Sequence, residues 1–220
     1  MTYDFHTHTL NSDGINNPIE LIRFAYVYGY KCIGISDHGS YSNLERVIGS
    51  AIKDCELAEK YWDIIAVPGV ELTNIPAGSI DGMARSAKEL GAKYVVVHGE
   101  TIVEEVEEGT NLAAVKSEYV DMLSHPGLFT SEEASFAAKN DVYIEITSRV
   151  GHCLANGRVA EVGRKAGVKF LLNTDSHSHM NLYRGDSQKE VALGSGLTIK
   201  EYERIINKDQ KEFLNKIGYK

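Results

Sequence analysis

Short apolar runs that are rich in β-branched and aromatic residues recur along the whole chain. There are seven of them, at residues 3–6, 32–36, 64–67, 94–97, 120–123, 142–146 and 169–172. Their length and composition are typical of strands. Dividing 220 residues by seven runs gives about 31 residues per run, the size of one βα unit. Because helical or polar sequence follows each run, the pattern predicts a parallel sheet, either closed into a barrel or doubly wound.

The composition is that of an ordinary globular protein, with 43% hydrophobic and 25% charged residues. A typical domain has about 100 to 200 residues, and single α/β barrels reach about 250. At 220 residues, we therefore expect residues 1–220 to form a single domain. The formal net charge of −8 argues against binding of duplex nucleic acid or an anionic membrane through bulk charge. An anionic substrate would need local positive charge.

The cysteines and the first residues bear on the cellular compartment. Cys32, Cys55 and Cys153 are too few and too scattered for a disulfide framework or a CxxC metal clip. The N-terminus has neither the basic region nor the apolar segment of a signal peptide, and no apolar run approaches the roughly 18 residues of a membrane span. The simplest expectation is a cytoplasmic protein with no membrane association.

Side chains that can bind metal ions follow almost every strand-like run. Six of the eight histidines lie there. The whole set is His6, His8, Asp13, Asp37, His38, Glu71, His98, His125, Asp175 and His177. In barrels and in open α/β sheets the C-terminal ends of parallel strands meet at one edge, so these side chains converge. Carboxylates in crowded surroundings must be paired or must coordinate metal, and the set therefore predicts a metal site.

The spacing of two pairs supports this interpretation. His6 and His8 point to the same face of an extended strand, because residues i and i+2 share a face. Asp175 and His177 have the same spacing at the other end of the chain. A closed barrel would place the first and last strands side by side and bring the two pairs together. Imidazole and carboxylate without thiolate favour zinc, manganese or iron.

The motifs that carry these residues resemble those of the PHP family, the polymerase and histidinol phosphatase domain. They are HTH at 6–8, SDG at 12–14, SDH at 36–38, PGVEL at 68–72, VVVHG at 95–99, SHPG at 124–127 and NTDSH at 173–177. They occur in the family's order and span most of the chain. The resemblance implies an α/β fold, a distorted seven-stranded (β/α)7 TIM-like barrel, with three divalent metal ions of undetermined identity.

The resemblance also implies which side chains would bind each ion. One ion would be bound by His6, His8, Glu71 and Asp175. A second would share Glu71 and add His98 and His125. The third would be bound by Asp13, His38 and His177.

A multinuclear centre of this kind suits the hydrolysis of phosphate esters, because neighbouring cations activate a water as hydroxide and neutralise the phosphoryl oxygens. The sequence shows no serine or cysteine nucleophile motif. We therefore expect a phosphatase, of the histidinol-phosphatase type, that acts on a small phosphorylated substrate.

Other functions are alternatives to this one. A 3′-5′ exonuclease or phosphodiesterase would act on nucleic acid, although the charge argues against a stable nucleic-acid partner. A non-catalytic scaffold would be expected to have lost ligands, and none is lost. A hydrolase of amide or lactone bonds fits the SDG and PGVEL segments poorly.

Three further side chains are candidates for substrate recognition and catalysis. Arg149, after the sixth run, and Arg184, after the NTDSH motif, each offer a guanidinium fork for phosphate. His152 is a candidate proton donor to the leaving group. In histidinol phosphatases of the PHP family, a phosphate-binding arginine stands where this chain has His152. This departure argues against a specific assignment to histidinol phosphate.

Two features remain open at the level of the sequence. Glu145 lies in a strand and would point either inward, behind the metal ligands, or outward to a salt bridge. Residues 99–110 are rich in glutamate and form either a solvated acidic loop or a lid over the site.

Overall fold

A computed structural model of the chain describes residues 2–219. Its strands are β1 (Thr2–Asp4), β2 (Tyr30–Ile35), β3 (His38–Gly39), β4 (Ile65–Leu72), β5 (Tyr94–His98), β6 (Met122–Ser124), β7 (Tyr143–Thr147) and β8 (Phe170–Asn173). Seven of them pair in parallel in the order β1-β2-β4-β5-β6-β7-β8, and the short β3 pairs with the end of β4. The sheet forms a nearly closed barrel, which confirms the predicted distorted seven-stranded (β/α)7 TIM-like fold.

The helices follow the strands along the chain. They are α1 (Pro18–Val27), α2 (Leu44–Tyr61), α3 (Ile80–Glu89), α4 (Thr110–Lys116), α5 (Ser131–Asn140), α6 (Asn156–Ala166), α7 (Ser187–Gly194), α8 (Ile199–Arg204) and α9 (Gln210–Lys216). A π-helical turn at Ile205–Asp209 joins α8 to α9. Within residues 2–219, the search for a helix long and apolar enough to cross a membrane finds none.

Local sequence determines where several helices begin. At the start of α5, Thr130 Oγ1 accepts a hydrogen bond from the backbone N–H of Glu133, and Glu133 Oε2 accepts one from the N–H of Thr130. Thr198 and Glu201 form the same reciprocal pair at the start of α8. Each pair satisfies two backbone donors that the first helical turn leaves free.

An aromatic cluster fills the end of the barrel where the strands begin. Phe213 of α9 is fully buried, and its ring lies 4.8 Å from that of Phe5 and 4.9 Å from that of Tyr143. The Tyr94 ring packs edge-on against Phe213 at 5.9 Å. Gly69 leaves room for it, because a Cβ atom there would lie 2.4 Å from the Tyr94 ring. We call Phe5, Tyr94, Tyr143 and Phe213 the aromatic plug.

The barrel closes between β1 and β8 without a continuous ladder. Its backbone contact is a single parallel bridge between Thr7 and Ser176, in which the N–H of His8 donates to Ser176 O at 2.7 Å. Just before this bridge, side chains take the place of ladder hydrogen bonds. We call this contact between residues 4–8 and 173–176 the seam.

Besides the backbone bridge, two polar side chains supply hydrogen bonds across the seam. Asn173 Oδ1 accepts from the N–H of Phe5 at 2.9 Å. Asp4 accepts from the N–H and the hydroxyl of Thr174, at 3.2 and 2.5 Å. Asp4 is completely buried, and burial raises its pKa to about 7 although these hydrogen bonds oppose the shift. The seam places the HTH segment beside the NTDSH segment, as expected for a closed barrel.

Candidate metal centre

Glu71 lies at the centre of the predicted site, near the end of β4, and its side chain is buried. Five imidazole nitrogens approach its carboxylate: His6 Nε2 at 3.2 Å, His38 Nε2 at 3.2 Å, His98 Nδ1 at 3.5 Å, His125 Nε2 at 3.7 Å and His8 Nε2 at 3.8 Å. Burial alone would raise the pKa of Glu71, but the charges on His6 and His98 hold it well below its usual range. Glu71 is therefore an ionised carboxylate surrounded by imidazoles.

Asp175 approaches the two histidines of the HTH segment from the other side of the seam. Its Oδ1 lies 3.2 Å from His8 Nε2 and 3.8 Å from His6 Nε2, and its Oδ2 lies 3.7 Å from His125 Nε2. The Asp175 side chain is buried, and burial raises the pKa of Asp175 to about 7. A cation held beside Asp175 would favour its ionised form and so reverse that shift.

A third group lies closer to solvent. His177 Nε2 is 2.9 Å from Asp13 Oδ2, and His38 Nε2 is 3.9 Å from Asp13 Oδ1. His8 Nδ1 approaches the same Asp13 oxygen at 3.9 Å from the buried side. Because about half of the Asp13 side chain is exposed, this group faces the mouth of the barrel.

Most of the predicted ligands form overlapping groups whose donor atoms lie within 4.8 Å of one another. The groups are His8–Asp13–His38–His177, His6–Glu71–His125, His6–His8–Asp175 and His125–His152–Asp175. Eight of the nine predicted ligands belong to at least one group. His98 belongs to none of them, but its Nδ1 faces Glu71.

The buried imidazole nitrogens indicate that the cluster fits metal ions. His6 Nε2, both ring nitrogens of His8 and Nδ1 of His98 are buried and make no hydrogen bond within residues 2–219. A buried polar atom without a partner costs about 1–3 kcal/mol. Coordination to a cation would satisfy these nitrogens, and a donor set of imidazole and carboxylate suits divalent ions such as zinc or manganese.

Glu145 points inward, which decides between the two orientations left open by the sequence. Its Oε1 lies 2.8 Å from His6 Nδ1 and accepts from Asn173 Nδ2 at 3.0 Å. Its Oε2 accepts from the backbone N–H of His125 at 3.1 Å. The contact with Nδ1 directs His6 Nε2 toward Glu71, as carboxylates behind metal-binding histidines do.

Asp37 shapes the loop that carries two predicted ligands, His8 and Asp13. Its Oδ1 accepts from the N–H of Thr9 at 2.7 Å and from Ser12 Oγ at 2.6 Å. Its Oδ2 accepts from Thr9 Oγ1 at 2.6 Å. Asp37 belongs to none of the ligand groups found within residues 2–219, and its hydrogen bonds instead hold the loop that carries the ligands.

Two residues of the centre have unusual backbone conformations. His125 and Asp175 have φ angles of 23° and 50°, in the region that favours glycine. Such conformations cost about 1–3 kcal/mol and concentrate at functional sites. The rest of the fold must therefore hold these two side chains in place against local strain.

His152 lies directly beside the buried histidines. Its ring stacks on that of His125 with centroids 4.2 Å apart, and its Nδ1 lies 2.7 Å from Thr101 Oγ1. His152 also forms a ligand group with His125 and Asp175. The structure thus offers a metal-binding role for His152 beside the predicted role of proton donor.

The two predicted arginines differ in their surroundings. Arg184 donates to Tyr28 Oη at 2.6 Å, and its guanidinium lies 4.3 Å above the Tyr28 ring. Arg149 is half-buried, and its side chain makes no hydrogen bond or ion pair with any residue in the range 2–219. Neither guanidinium contacts the candidate ligands, so a phosphate-binding role for either remains a prediction.

The acidic segment, residues 100–108, reaches the centre through Glu104. The Oε2 atom of Glu104 lies 3.0 Å from His98 Nε2, and its Oε1 lies 3.4 Å from His152 Nε2. Glu105, Glu107 and Glu108 are exposed. The segment therefore has a solvated acidic face, and it also contacts two histidines of the centre.

Sequence reasoning did not single out Asp4 and Thr101. The sequence contained a signal for Asp4, because Asp4, His6 and His8 are spaced i, i+2 and i+4 and so share one face of a strand. Thr101 had none, since its contact with His152 joins residues 51 positions apart.

Comparisons with known proteins agree with this geometry. The chain is 49% identical over 218 residues to an uncharacterized protein of Methanocaldococcus jannaschii, covering 99% of this chain and all of the relative. It is 30% identical over 213 residues to a protein of Caldanaerobacter subterraneus subsp. tengcongensis that is named a probable phosphatase, covering 84% of this chain and 80% of the relative. No protein-family model matches the chain.

One of the solved structures with a similar fold contains bound ligands. It is the crystal structure of histidinol phosphate phosphatase from Lactococcus lactis subsp. lactis, complexed with zinc, L-histidinol and phosphate. The TM-score is 0.62 at 15% sequence identity, over 99% of this chain and 94% of the other. At this identity the similarity concerns the fold alone.

Proposed function

The chain belongs to the family of the probable phosphatase from Caldanaerobacter subterraneus, and we propose that it is a metal-dependent phosphoesterase that hydrolyses a small phosphorylated substrate. The observation that supports this most strongly is the convergence of imidazoles and carboxylates around Glu71 at one mouth of the barrel. The name of the relative and the zinc and phosphate in the similarly folded enzyme support the same chemistry. We further infer that this family is the PHP family, whose motifs the chain carries.

In this proposal, residues 1–220 form a single catalytic domain with a centre for three divalent ions, zinc, manganese or iron. The first ion would be held by His6, His8, Glu71 and Asp175. The second would be held by Glu71, His98 and His125, with His152 close enough to join them. The third would be held by Asp13, His38 and His177. The fit of the buried, unpartnered nitrogens supports this assignment.

Ions bound in these positions would lower the pKa of a coordinated water and neutralise charge on the phosphoryl oxygens. The residues of the chain position these groups. Glu145 fixes the ring of His6, and Glu71, with its lowered pKa, stays ionised among the imidazoles. Thr101 contacts the ring of His152, and in this proposal His152 would give a proton to the leaving oxygen.

Arginine would complete the recognition of phosphate. Arg149 follows β7 at the same mouth and has no side-chain partner within residues 2–219, so its guanidinium is free to bind phosphate. Arg184 would first have to leave the ring of Tyr28. We therefore favour Arg149 over Arg184 for this role.

The charge of the protein favours a small substrate over nucleic acid. The net charge is −8, and the acidic segment lies beside the centre. A polyanion must release counterions onto cationic side chains to bind tightly, and this rim offers few of them. A phosphomonoester, as in the histidinol-phosphatase type, presents a single charged group to the bound ions.

The decisive experiment measures metal content and phosphate release on the same purified protein. Elemental analysis gives the ions bound per chain. Release of phosphate is then screened over phosphomonoesters, including histidinol phosphate and p-nitrophenyl phosphate, over a phosphodiester and over short oligonucleotides. Each assay is repeated after chelation and after re-addition of zinc or manganese.

We expect bound divalent ions and hydrolysis of phosphomonoesters that is lost on chelation and restored by metal. Cleavage of oligonucleotides without release from monoesters would favour the exonuclease alternative. Metal-independent release, or no hydrolysis of any ester by the metal-loaded protein, would contradict the proposed function.

A further inference from the structure

Hydrogen bonds hold the two ends of the acidic segment together. Glu100 Oε1 accepts hydrogen bonds from the N–H groups of Gly109 and Asn111, at 3.0 and 2.9 Å. Asn111 Oδ1 accepts from the N–H of Glu100 at 2.9 Å, and its Nδ2 donates to Pro126 O at 2.9 Å. Pro126 directly follows the candidate ligand His125. The two ends of the segment are therefore tied to each other and to the loop of a candidate ligand.

The middle of the segment lies against two rings of the centre. One oxygen of Glu104 lies 3.0 Å from His98 Nε2, and the other lies 3.4 Å from His152 Nε2. Both are ion-pair distances, and within residues 2–219 the contact with His98 is not aligned as a hydrogen bond. Thr101 Oγ1 contacts the remaining nitrogen of His152 at 2.7 Å. A single carboxylate from the loop thus spans both histidines.

The contact with His98 has a consequence for metal binding. His98 Nδ1 faces Glu71 Oε1 at 3.5 Å, so Nδ1 is the nitrogen available to a cation that Glu71 also binds. An imidazole that gives one nitrogen to a metal carries its proton on the other, and an acceptor there fixes the tautomer and the rotation of the ring. Within residues 2–219, Glu104 is the one carboxylate at ion-pair distance from His98 Nε2.

We propose that Glu104 is a positioning residue for the metal centre. It holds His98 with the proton on Nε2 and with Nδ1 turned toward Glu71, and together with Thr101 it holds the ring of His152. The acidic segment thereby completes the centre from outside the barrel. This inference rests on the metal centre of the proposed function, but not on its phosphate chemistry.

The exposure of Glu104 distinguishes an effect of its direct contact with the histidines from a long-range effect of its charge. About half of its side chain is exposed, 48%, so solvent screens its charge and its influence depends on the direct contact. Glu108 is exposed on the same segment. It also does not border the cavity of about 280 Å³ beside His98, which Glu105 and Glu107 do. Glu108→Gln is therefore the matched control, because it removes the same charge without removing the contact.

The test compares Glu104→Gln and Glu104→Ala with Glu108→Gln. Zinc affinity is measured by competition with a chromophoric chelator. The tautomer of His98 in the zinc-loaded protein is read from long-range ¹⁵N–¹H NMR correlations. Thermal melts of the chelated proteins check that the fold is unchanged. None of these measurements uses a substrate, so their result is independent of whether the protein hydrolyses phosphate esters.

We expect Glu104→Ala to weaken zinc binding at one site by about 10- to 100-fold, the usual effect of removing a partner behind a metal-binding histidine. Glu104→Gln should lie between Glu104→Ala and wild type, since its amide oxygen can still accept a hydrogen bond. In both variants the Nε2-protonated tautomer of His98 should lose population, whereas Glu108→Gln should match the wild type. Wild-type zinc affinity and an unchanged tautomer in both Glu104 variants would overturn the proposal.

Discussion

The two ends of the barrel carry opposite kinds of side chain on the same strands. Where the strands begin, the aromatic plug is buried and packed ring against ring. Where they end, Glu71 is surrounded by imidazoles, and several of their buried nitrogens make no hydrogen bond within residues 2–219. Burial of apolar rings stabilises the first end by itself. At the second end, bound cations would supply partners for the buried imidazole nitrogens. The comparison indicates that stability and chemistry are separated along the axis of the barrel.

The largest expected effect is on turnover, from substitutions at the polar end. His98→Ala and Asp175→Asn should each lower phosphate release by about 10³-fold or more, because a metal ion supplies several kcal/mol to such a reaction. Asparagine suits position 175 because it tolerates the positive φ of Asp175 better than alanine does. Both variants should unfold cooperatively. Full activity in either variant would remove the mechanism proposed here.

The next effect is on stability, from the aromatic end. Phe213→Ala should lower the free energy of unfolding by about 3–5 kcal/mol, the cost of removing a fully buried aromatic ring. Urea denaturation measures the loss. The number of zinc ions bound per folded chain should not change. A loss of zinc at unchanged stability would show that the two ends are not separate.

Metal removal tests the polar end without mutation. At a free zinc concentration 100 times the dissociation constant, binding to the folded state alone stabilises a protein by about 2.7 kcal/mol. Melting temperatures of the chelated and zinc-loaded protein should differ accordingly, and Asp175→Asn should reduce the difference. Equal melting temperatures would contradict the expectation that cations satisfy the buried imidazoles.

The smallest effect comes from the ion pair between α6 and α8, which includes none of the candidate ligands and none of the aromatic plug. Arg164 Nε lies 2.5 Å from Glu201 Oε1, and this hydrogen bond lowers the pKa of Glu201 to about 2. Glu201→Gln keeps an acceptor for the Thr198 cap but removes the charge, and it should cost at most about 1 kcal/mol at neutral pH.

The pH dependence of this effect has a definite sign. A carboxyl whose pKa is depressed in the folded state contributes stability above its ordinary pKa of 4.5, and this contribution is lost as the pH falls toward 2. The difference between wild type and Glu201→Gln, followed by denaturation at several pH values, should therefore shrink over that interval. A difference that grows on acidification would contradict the ion pair.

The local patterns of the sequence predicted a parallel sheet and the convergence of the ligands at one edge of it, whereas the closed barrel was implied by the resemblance to the PHP family. Strand-like runs have a characteristic length, and residues that end parallel strands meet at one edge. The first and last ligand pairs met because the barrel closed. These features need no knowledge of any particular long-range contact.

The features that the sequence did not predict are contacts between distant residues. Asn173 accepts a hydrogen bond from Phe5 across 168 positions, and nothing local to either residue indicates it. The same holds for Phe213, whose helix packs beneath strands that precede it by most of the chain. For Glu104, the abundance of glutamate in its segment was compatible with a solvated loop and with a lid, and its contact with His98 depends on where the folded loop lies.

The incomplete seam gives the proposed cations a second role. His6 and Asp175 lie on opposite sides of it and are 169 positions apart in the chain. An ion that binds both would act as a non-covalent cross-link that closes a loop of about three quarters of the protein. Cross-links that close long loops restrict the unfolded chain most. Metal loading would then tie the first strand to the segment that follows β8, through the side chains of the proposed metal centre.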